Sequence, residues 1–176
     1  LYETALGYIG YHLVGYLADG TVPTRQGTVF PMVAPYQVFP TRDGELMIAG
    51  GNDRLFSVLC EVVGMSELVS DARFRTNPDR VGNREELVTF LSTQLRRRDT
   101  AEWQELLTAA GVPAAPVADV ADVVSAPQTN ALEMLQAIAH PRIPELRLAA
   151  LPLSFDGERA THPSAPPLVG EHSTEV

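Results

Sequence analysis

The first part of the chain carries apolar side chains at the spacing of an α-helix. Residues recurring at intervals of three and four form one stripe: Leu6, Ile9, Leu13 and Leu17. This pattern predicts one helix over residues 1–18, which Asp19-Gly20 ends because glycine readily adopts the left-handed conformation of a helix C-cap. A helix with so broad an apolar stripe has to bury it, so we expect another surface to cover this segment.

Two short apolar segments predict a β-hairpin further along the chain. Residues 36–39 and 46–49 have the composition of strands, and Thr41-Arg42-Asp43-Gly44 lies between them as a turn. Gly50-Gly51 interrupts the second strand. The hairpin is therefore expected to lead directly into a turn and a helix.

Three helices are predicted after the hairpin, each from an apolar stripe and a capping residue. They cover residues 53–63, a segment that opens at Asn83 with Glu86 completing a capping-box pattern, and residues 100–110. Prolines dominate the last part of the chain, where residues 146–148 read as an isolated strand. Together these elements predict an α+β fold: a small antiparallel sheet with helices, and extended segments at both ends.

Composition and charge exclude several classes of protein. The 176 residues are 45% hydrophobic and 20% charged, as in an ordinary globular domain. A formal net charge of −9 argues against a general nucleic-acid binder. No stretch reaches the roughly 18 apolar residues that span a bilayer, and the opening segment lacks the basic start of a signal peptide. We therefore expect a cytoplasmic protein with neither nucleic-acid nor membrane partners.

The residue types offer few candidate sites. The four histidines lack metal-ligand spacing, and Cys60, the single cysteine, is interpreted as a buried apolar residue. The turn Gly50-Gly51-Asn52-Asp53 is a candidate, because free amide groups at a helix start can hold a carboxylate; a plain capped turn is the alternative. The carboxylates Glu3, Asp53 and Glu171 have the chemistry of a base or nucleophile, or are simply solvated.

Seven short segments, in order along the chain, carry a family resemblance. They are residues 33–39 (VAPYQVF), 41–46 (TRDGEL), 50–56 (GGNDRLF), 71–74 (DARF) with 76–77 (TN), 80–84 (RVGNR), 111–117 (GVPAAPV), and 165–168 (APPL) with 170–173 (GEHS). The chain resembles the C-terminal half of the family III CoA-transferases, the CaiB/BaiF group, which includes formyl-CoA transferase and the acyl-CoA racemases.

The resemblance implies an architecture and partners. In the family, two chains interlock as a homodimer, and a Rossmann-like domain, absent from this chain, binds coenzyme A. Residues 1–20 would be the helix leaving that large domain, residues 21–140 the linker and small α+β domain, and residues 141–176 the extended arm that returns. The implied substrates are an acyl-CoA and a small carboxylic acid, with no metal, and this chain alone is expected to be inactive.

The resemblance also implies site residues. The family's nucleophile is an aspartate that forms a mixed anhydride with the acyl group, and Glu3 aligns with it; the extra methylene of glutamate would move the carboxylate by ~1.5 Å. Pro31, Met32 and Val33 align with a glycine-rich loop that closes over the intermediate. Because those glycines are absent here, a larger dicarboxylic or branched acyl group is expected rather than a formyl or oxalyl group.

The same resemblance places Gly50, Gly51, Asn52 and Asp53 beside the acyl group, with Asp53 near a glutamate that the racemases use. Two alternatives to a CoA-transferase remain open. An acyl-CoA racemase or epimerase would move an α-proton without a covalent intermediate, and a stand-alone remnant of the family would fold without catalysis.

Overall fold

The computed structural model of the protein describes residues 1–174, and its elements confirm the predicted α+β fold. Its contacts divide the chain into two units, Leu1–Val117 and Ala118–Val176. Among residues 1–174 there is no helix with both the length and the apolar character needed to cross a membrane.

The N-terminal segment forms two helices where the stripe predicted one. α1 covers Tyr2–Tyr8 and α2 covers Gly10–Asp19, and they meet at Ile9. Glycines at positions 7 and 10 flank this break, and each costs a helix about 1 kcal/mol relative to alanine. The predicted end at Gly20 is confirmed, since this residue has φ 76°. No residue of α1 or α2 is fully buried; of the apolar stripe, Leu6, Ile9 and Leu17 are exposed and Leu13 is half-buried.

A three-stranded antiparallel sheet organises the first unit. β1 (Tyr36–Pro40) and β2 (Glu45–Ala49) form the predicted hairpin, and β3 (Ala114–Pro116) pairs with the other edge of β2. Side chains alternate between the two faces of the sheet, so that Phe39 and its partner Leu46 point into the core.

Helices cover the buried face of this sheet. They are α3 (Asp53–Val63), α4 (Asn77–Gly82), α5 (Arg84–Leu95) and α6 (Thr100–Ala109), with a short 3₁₀ helix at Ser66–Val69. Their inward residues belong to one apolar core, which includes Phe56, Leu59, Leu87, Leu91, Trp103 and Leu107. Cys60 is fully buried in this core, as predicted.

One capping prediction is wrong. Asn83 precedes α5, but its side chain caps nothing there; its Nδ2 donates to the carbonyl oxygens of Arg73 and Asp79. Glu86, the expected second half of the box, pairs with Arg73 instead. The nearest capping box forms one helix earlier, at the start of α4, between Thr76 and Asp79. Residues 76–79 and 83–86 both carry polar residues at the spacing of a capping box, but only the first pair, at the start of α4, forms one.

The second unit contains short elements and little core. They are α7 (Val120–Ser125), α8 (Pro127–Ala131), β4 (Leu135–Ala137), β5 (Arg147–Ala149), β6 (Ser154–Phe155) and β7 (Glu158–Arg159). The strand predicted as isolated at residues 146–148 is β5, and it pairs antiparallel with β4. None of residues 152–174 is buried.

Candidate functional site

The 50–53 turn, Gly50-Gly51-Asn52-Asp53, connects β2 to α3. Asn52 is the N-cap of α3, and its Oδ1 accepts a hydrogen bond from Leu55 N at 2.8 Å. Both glycines are buried, and Gly51 has no room for a side chain because an added Cβ would lie 1.8 Å from Val33 Cγ1. The turn is therefore packed directly against the segment that contains Val33.

That segment, residues 31–34, is the second half of the candidate site, and we call it the 31–34 loop. The amide of Asn77 holds it on both sides of Val33: Nδ2 donates to Met32 O at 2.9 Å, and Oδ1 accepts from Ala34 N at 3.0 Å. The Met32 side chain remains 66% exposed. The backbone of the loop is therefore fixed while a large apolar side chain is presented outward.

Arg84, at the start of α5, adds a third attachment to this loop. Its Nη2 donates to Pro31 O at 2.8 Å and to Phe30 O at 3.2 Å. The guanidinium is half-buried, and this burial lowers the pKa of Arg84. A half-buried cation thus holds two backbone carbonyls rather than a carboxylate.

Arg80 connects the 31–34 loop to the 50–53 turn from the buried side. Its side chain is fully buried, with the guanidinium carbon 4.5 Å from the centre of the Phe56 ring. Nε donates to Ala34 O at 2.7 Å, Nη2 to Gly51 O at 2.7 Å, and Nη1 to Phe74 O at 3.0 Å. One rigid guanidinium therefore connects three segments that are distant in sequence.

Asp53 completes the partners of Arg80. Its Oδ1 accepts from Arg80 Nη2 at 2.8 Å, although the Asp53 side chain is 66% exposed. The carboxylate is consequently oriented by a buried cation and still reaches solvent. One of its oxygens is committed to this ion pair, which restricts its use as a free base.

A cavity of about 380 Å³ borders the 31–34 loop. Its lining includes Tyr11, His12 and Tyr16 from α2 together with Pro31 and Met32. The cavity therefore joins the exposed face of α2 to the loop that was predicted to contact the acyl group.

The structure does not bring Glu3 to these segments. Glu3 lies in the first turn of α1 and is exposed, and within residues 1–174 no hydrogen bond or ion pair joins it to the 31–34 loop or the 50–53 turn. Glu171 accepts a hydrogen bond from Leu168 N at 2.6 Å, and so stabilises a turn. Among the described residues, no group of three His, Cys, Asp or Glu side chains is placed to hold a metal ion.

Local sequence patterns do not identify the side chains that hold the site together. Asn77, Arg80 and Arg84 lie within segments that carried the family resemblance, but no role was assigned to them. Their spacing of three and four residues is the signal that would have placed them on one side of a helical segment. Apart from Asp53, their partners are backbone N–H and C=O groups, which leave no mark in the sequence.

Comparisons with known proteins cover nearly the whole chain. A family model described as CoA-transferase family III matches residues 1–173. Succinyl-CoA:glutarate CoA-transferase of Mus musculus is 32% identical over 161 residues, which are 92% of this chain and 37% of that protein. Acetyl-CoA:oxalate CoA-transferase of Acetobacter aceti is 38% identical over 135 residues, covering 77% of this chain and 35% of that protein.

A solved structure is also similar to this chain over most of its length. The crystal structure of a CAIB/BAIF family protein from Brucella suis superposes with a TM-score of 0.80 at 33% identity, covering 96% of this chain and 43% of that one. The chain thus spans less than half the length of these relatives.

Proposed function

Because the chain belongs to CoA-transferase family III, we propose that it is the C-terminal part of an enzyme that moves coenzyme A from an acyl-CoA to a carboxylic acid. The observation that carries this proposal is the match across residues 1–173, a range that contains both segments of the candidate site. In the proposal, residues 1–20 lead out of a large CoA-binding domain, residues 21–140 form the linker and small domain, and residues 141–176 return to the large domain.

In this proposal, the 31–34 loop and the 50–53 turn face the acyl group. The start of α3 carries partial positive charge from its unpaired amide groups, which suits a carboxylate on the acyl group or on the acceptor acid. Pro31, Met32 and Val33 supply the apolar side, and Gly50, Gly51, Asn52 and Asp53 supply the polar side. Their close packing supports a surface of fixed shape.

The proposed reaction passes through an enzyme carboxylate. Its oxygen attacks the thioester carbonyl, the C–S bond breaks, and CoA leaves as a thiolate, so a mixed anhydride forms. The thiolate then attacks the enzyme's carbonyl carbon and releases the donor acid as a carboxylate. The acceptor carboxylate attacks the carbonyl carbon of the resulting enzyme–CoA thioester, the C–S bond breaks, and a second mixed anhydride forms as the CoA thiolate leaves. This thiolate then attacks the acceptor's carbonyl carbon in the anhydride, which gives the acceptor's CoA ester and restores the enzyme carboxylate.

Glu3 is proposed as that carboxylate. An anhydride survives only where water is excluded, and Glu3 is exposed within residues 1–174. Its role therefore requires the remainder of the enzyme or a second copy of the chain to cover α1. The exposure of Tyr2 and Tyr8, 80% and 88%, on the same helix supports such a cover.

We propose dicarboxylic acids of four or five carbons as the substrate class. The relatives named for glutarate and oxalate support a dicarboxylic acid in general. The attachment of the 31–34 loop by Asn77 and Arg84 favours the larger acids, because a loop held at Met32 and Pro31 is not free to close over a one-carbon group.

The test uses the complete protein with succinyl-CoA or glutaryl-CoA as donor and glutarate, oxalate or acetate as acceptor. Mass spectrometry of the CoA esters should show that succinyl-CoA and glutarate give glutaryl-CoA. Absence of transfer with every pair of different acids would refute the proposed function. Uptake of deuterium at the α-carbon without transfer would indicate a racemase instead.

Two variants test whether Glu3 is the nucleophile, independently of whether the enzyme is a CoA-transferase. Glu3→Gln should abolish transfer and hydroxylamine trapping at this position, whereas Glu105→Gln, an exposed carboxylate on α6, should leave the rate unchanged. An active Glu3→Gln variant would assign the nucleophile to another carboxylate and leave the transferase proposal standing. Light scattering should give a homodimer, and a monomer would contradict that part of the proposal.

A further inference from the structure

We propose that Asn77 and Arg80 are positioning residues for acyl recognition, and we call the pair the α4 clamp. The inference rests on the proposed function, because it assumes that the 31–34 loop and the 50–53 turn face the acyl group. Its basis is that two side chains of one short helix, α4, make hydrogen bonds to the backbone of both segments.

The base of the clamp is rigid. α4 is a six-residue helix, and the side chains of Thr76 and Asp79 close its first turn reciprocally. Arg84 holds Pro31 O at 2.8 Å from the start of the next helix. The side chains of the clamp therefore project from a backbone whose own position is fixed.

Asn77 acts on the 31–34 loop alone. Its amide uses its donor on Met32 O and its acceptor on Ala34 N, at 2.9 and 3.0 Å, so it bonds the loop on each side of Val33. Val33 is the residue that fills the space above Gly51. Loss of this amide should free Val33 to shift across the turn without disturbing the core beneath.

Arg80 sets the separation of the two segments. Nε and Nη2 form one edge of the guanidinium, the edge that elsewhere binds both oxygens of a carboxylate. Here that edge takes one carbonyl from each segment, Ala34 O and Gly51 O, both at 2.7 Å. A lysine has a single nitrogen and cannot reproduce this planar pair of bonds.

Small displacements at such a surface have large kinetic effects. A shift of about 1 Å in a positioning element can lower the rate on the order of a hundredfold. Loss of the free energy of one hydrogen bond corresponds to about a tenfold change in an equilibrium or rate constant. We therefore expect the clamp to control which acyl groups are accepted, beyond its effect on stability.

The experiment compares Asn77→Ala and Asn77→Asp with Gln94→Ala in the complete protein. Gln94 is a matched control because its Nε2 also donates to a backbone carbonyl, Val63 O at 2.8 Å, outside both segments. kcat and KM are measured with a short and a longer acyl-CoA donor, and Tm is measured for each variant.

Both Asn77 variants should lower kcat/KM by about tenfold and change the ratio between the two donors. Gln94→Ala should leave kcat/KM and the ratio between the donors within about twofold of the wild-type values, while lowering Tm about as much as Asn77→Ala does. The proposal is overturned if Asn77→Ala and Gln94→Ala have the same kinetics, since a merely structural bond would act alike in both. Arg80→Lys should change the donor ratio in the same direction as Asn77→Ala.

A second readout distinguishes failure of the clamp from failure of the proposed function. If the wild type transfers no acyl group, the function fails, and hydrogen–deuterium exchange still tests the clamp. Asn77→Ala should speed exchange at the Ala34 amide and across the 50–53 turn, whereas Gln94→Ala should not. Unchanged exchange in Asn77→Ala would overturn the clamp itself.

Discussion

Replacing Arg80 by methionine should destabilise the first unit far more than removing the acidic partner of Arg80. The arginine side chain is 0% exposed, whereas the Asp53 side chain is 66% exposed. Methionine keeps much of the apolar stem and removes every donor. The change therefore leaves three carbonyl oxygens, those of Ala34, Gly51 and Phe74, without their buried partner.

The magnitude follows from those carbonyls. Each unpaired buried polar group costs about 1–3 kcal/mol, and removal of one partner from a buried charged network costs about 3–5 kcal/mol in total. We expect a loss of about 4 kcal/mol for Arg80→Met. Asp53→Asn should cost under about 1 kcal/mol, because the amide oxygen can still accept from Arg80 Nη2 at this exposed position and the three backbone carbonyls keep their donor.

Urea unfolding followed by Trp103 fluorescence measures the difference. Trp103 is the single tryptophan of the chain, and it lies 3% exposed in the same core. With a slope of about 2 kcal/mol per molar, the midpoint should fall by about 2 M for Arg80→Met and by less than about 0.5 M for Asp53→Asn.

Arg42→Met supplies the control for loss of an arginine. Arg42 pairs with Asp99 at 2.6 Å, but its side chain is 56% exposed, so its midpoint should stay close to that of the wild type. A midpoint for Asp53→Asn as low as that for Arg80→Met would refute the reasoning. It would mean that the ion pair, rather than the backbone carbonyls, carries the contribution of Arg80.

Three further experiments test the packing at Gly51, the pKa of Asp71 and the burial of Cys60. Gly51→Ala should cost about 1–3 kcal/mol, because its Cβ would lie 1.8 Å from Val33 Cγ1, and adding Val33→Ala should recover part of that loss in urea. Hydrogen bonds from Arg73 lower the pKa of Asp71 to about 2, so this carboxylate stabilises the fold above its ordinary pKa of 3.8 and loses that effect as pH falls toward 2. An NMR titration of Arg73→Gln should show the Asp71 midpoint rising. Burial raises the pKa of Cys60 to about 12, so a thiol reagent at about pH 8 should react with it only in unfolded chains.

Each of these tests has its own control. Gly82→Ala should be tolerated, since nothing lies within 4 Å of its added Cβ, and a loss equal to that of Gly51→Ala would remove the steric explanation. An Asp71 midpoint unchanged by Arg73→Gln would exclude Arg73 as the cause of the low pKa. Rapid labelling of Cys60 in the folded chain would contradict its burial.

Local patterns predicted most of the elements. The apolar stripe of residues 53–63 corresponds to α3, and the strand pattern on either side of residues 41–44 corresponds to the hairpin. The ordered motifs were enough to identify the family. The helix break at Ile9 and the cap at Thr76 were missed, because several glycines and capping residues compete within a few positions and differ little in free energy.

The sequence by itself thus determined the helices, the hairpin, the burial of Cys60 and the family, because each depends on residues close together in the chain or on ordered motifs. Only the tertiary structure decided that the 31–34 loop and the 50–53 turn meet, and that Arg80 holds them through Ala34 O and Gly51 O. Those bonds span 46 and 29 residues of sequence. Their acceptors are backbone carbonyls, which every residue carries, so the pairing is specified by how the whole unit packs rather than by residue type.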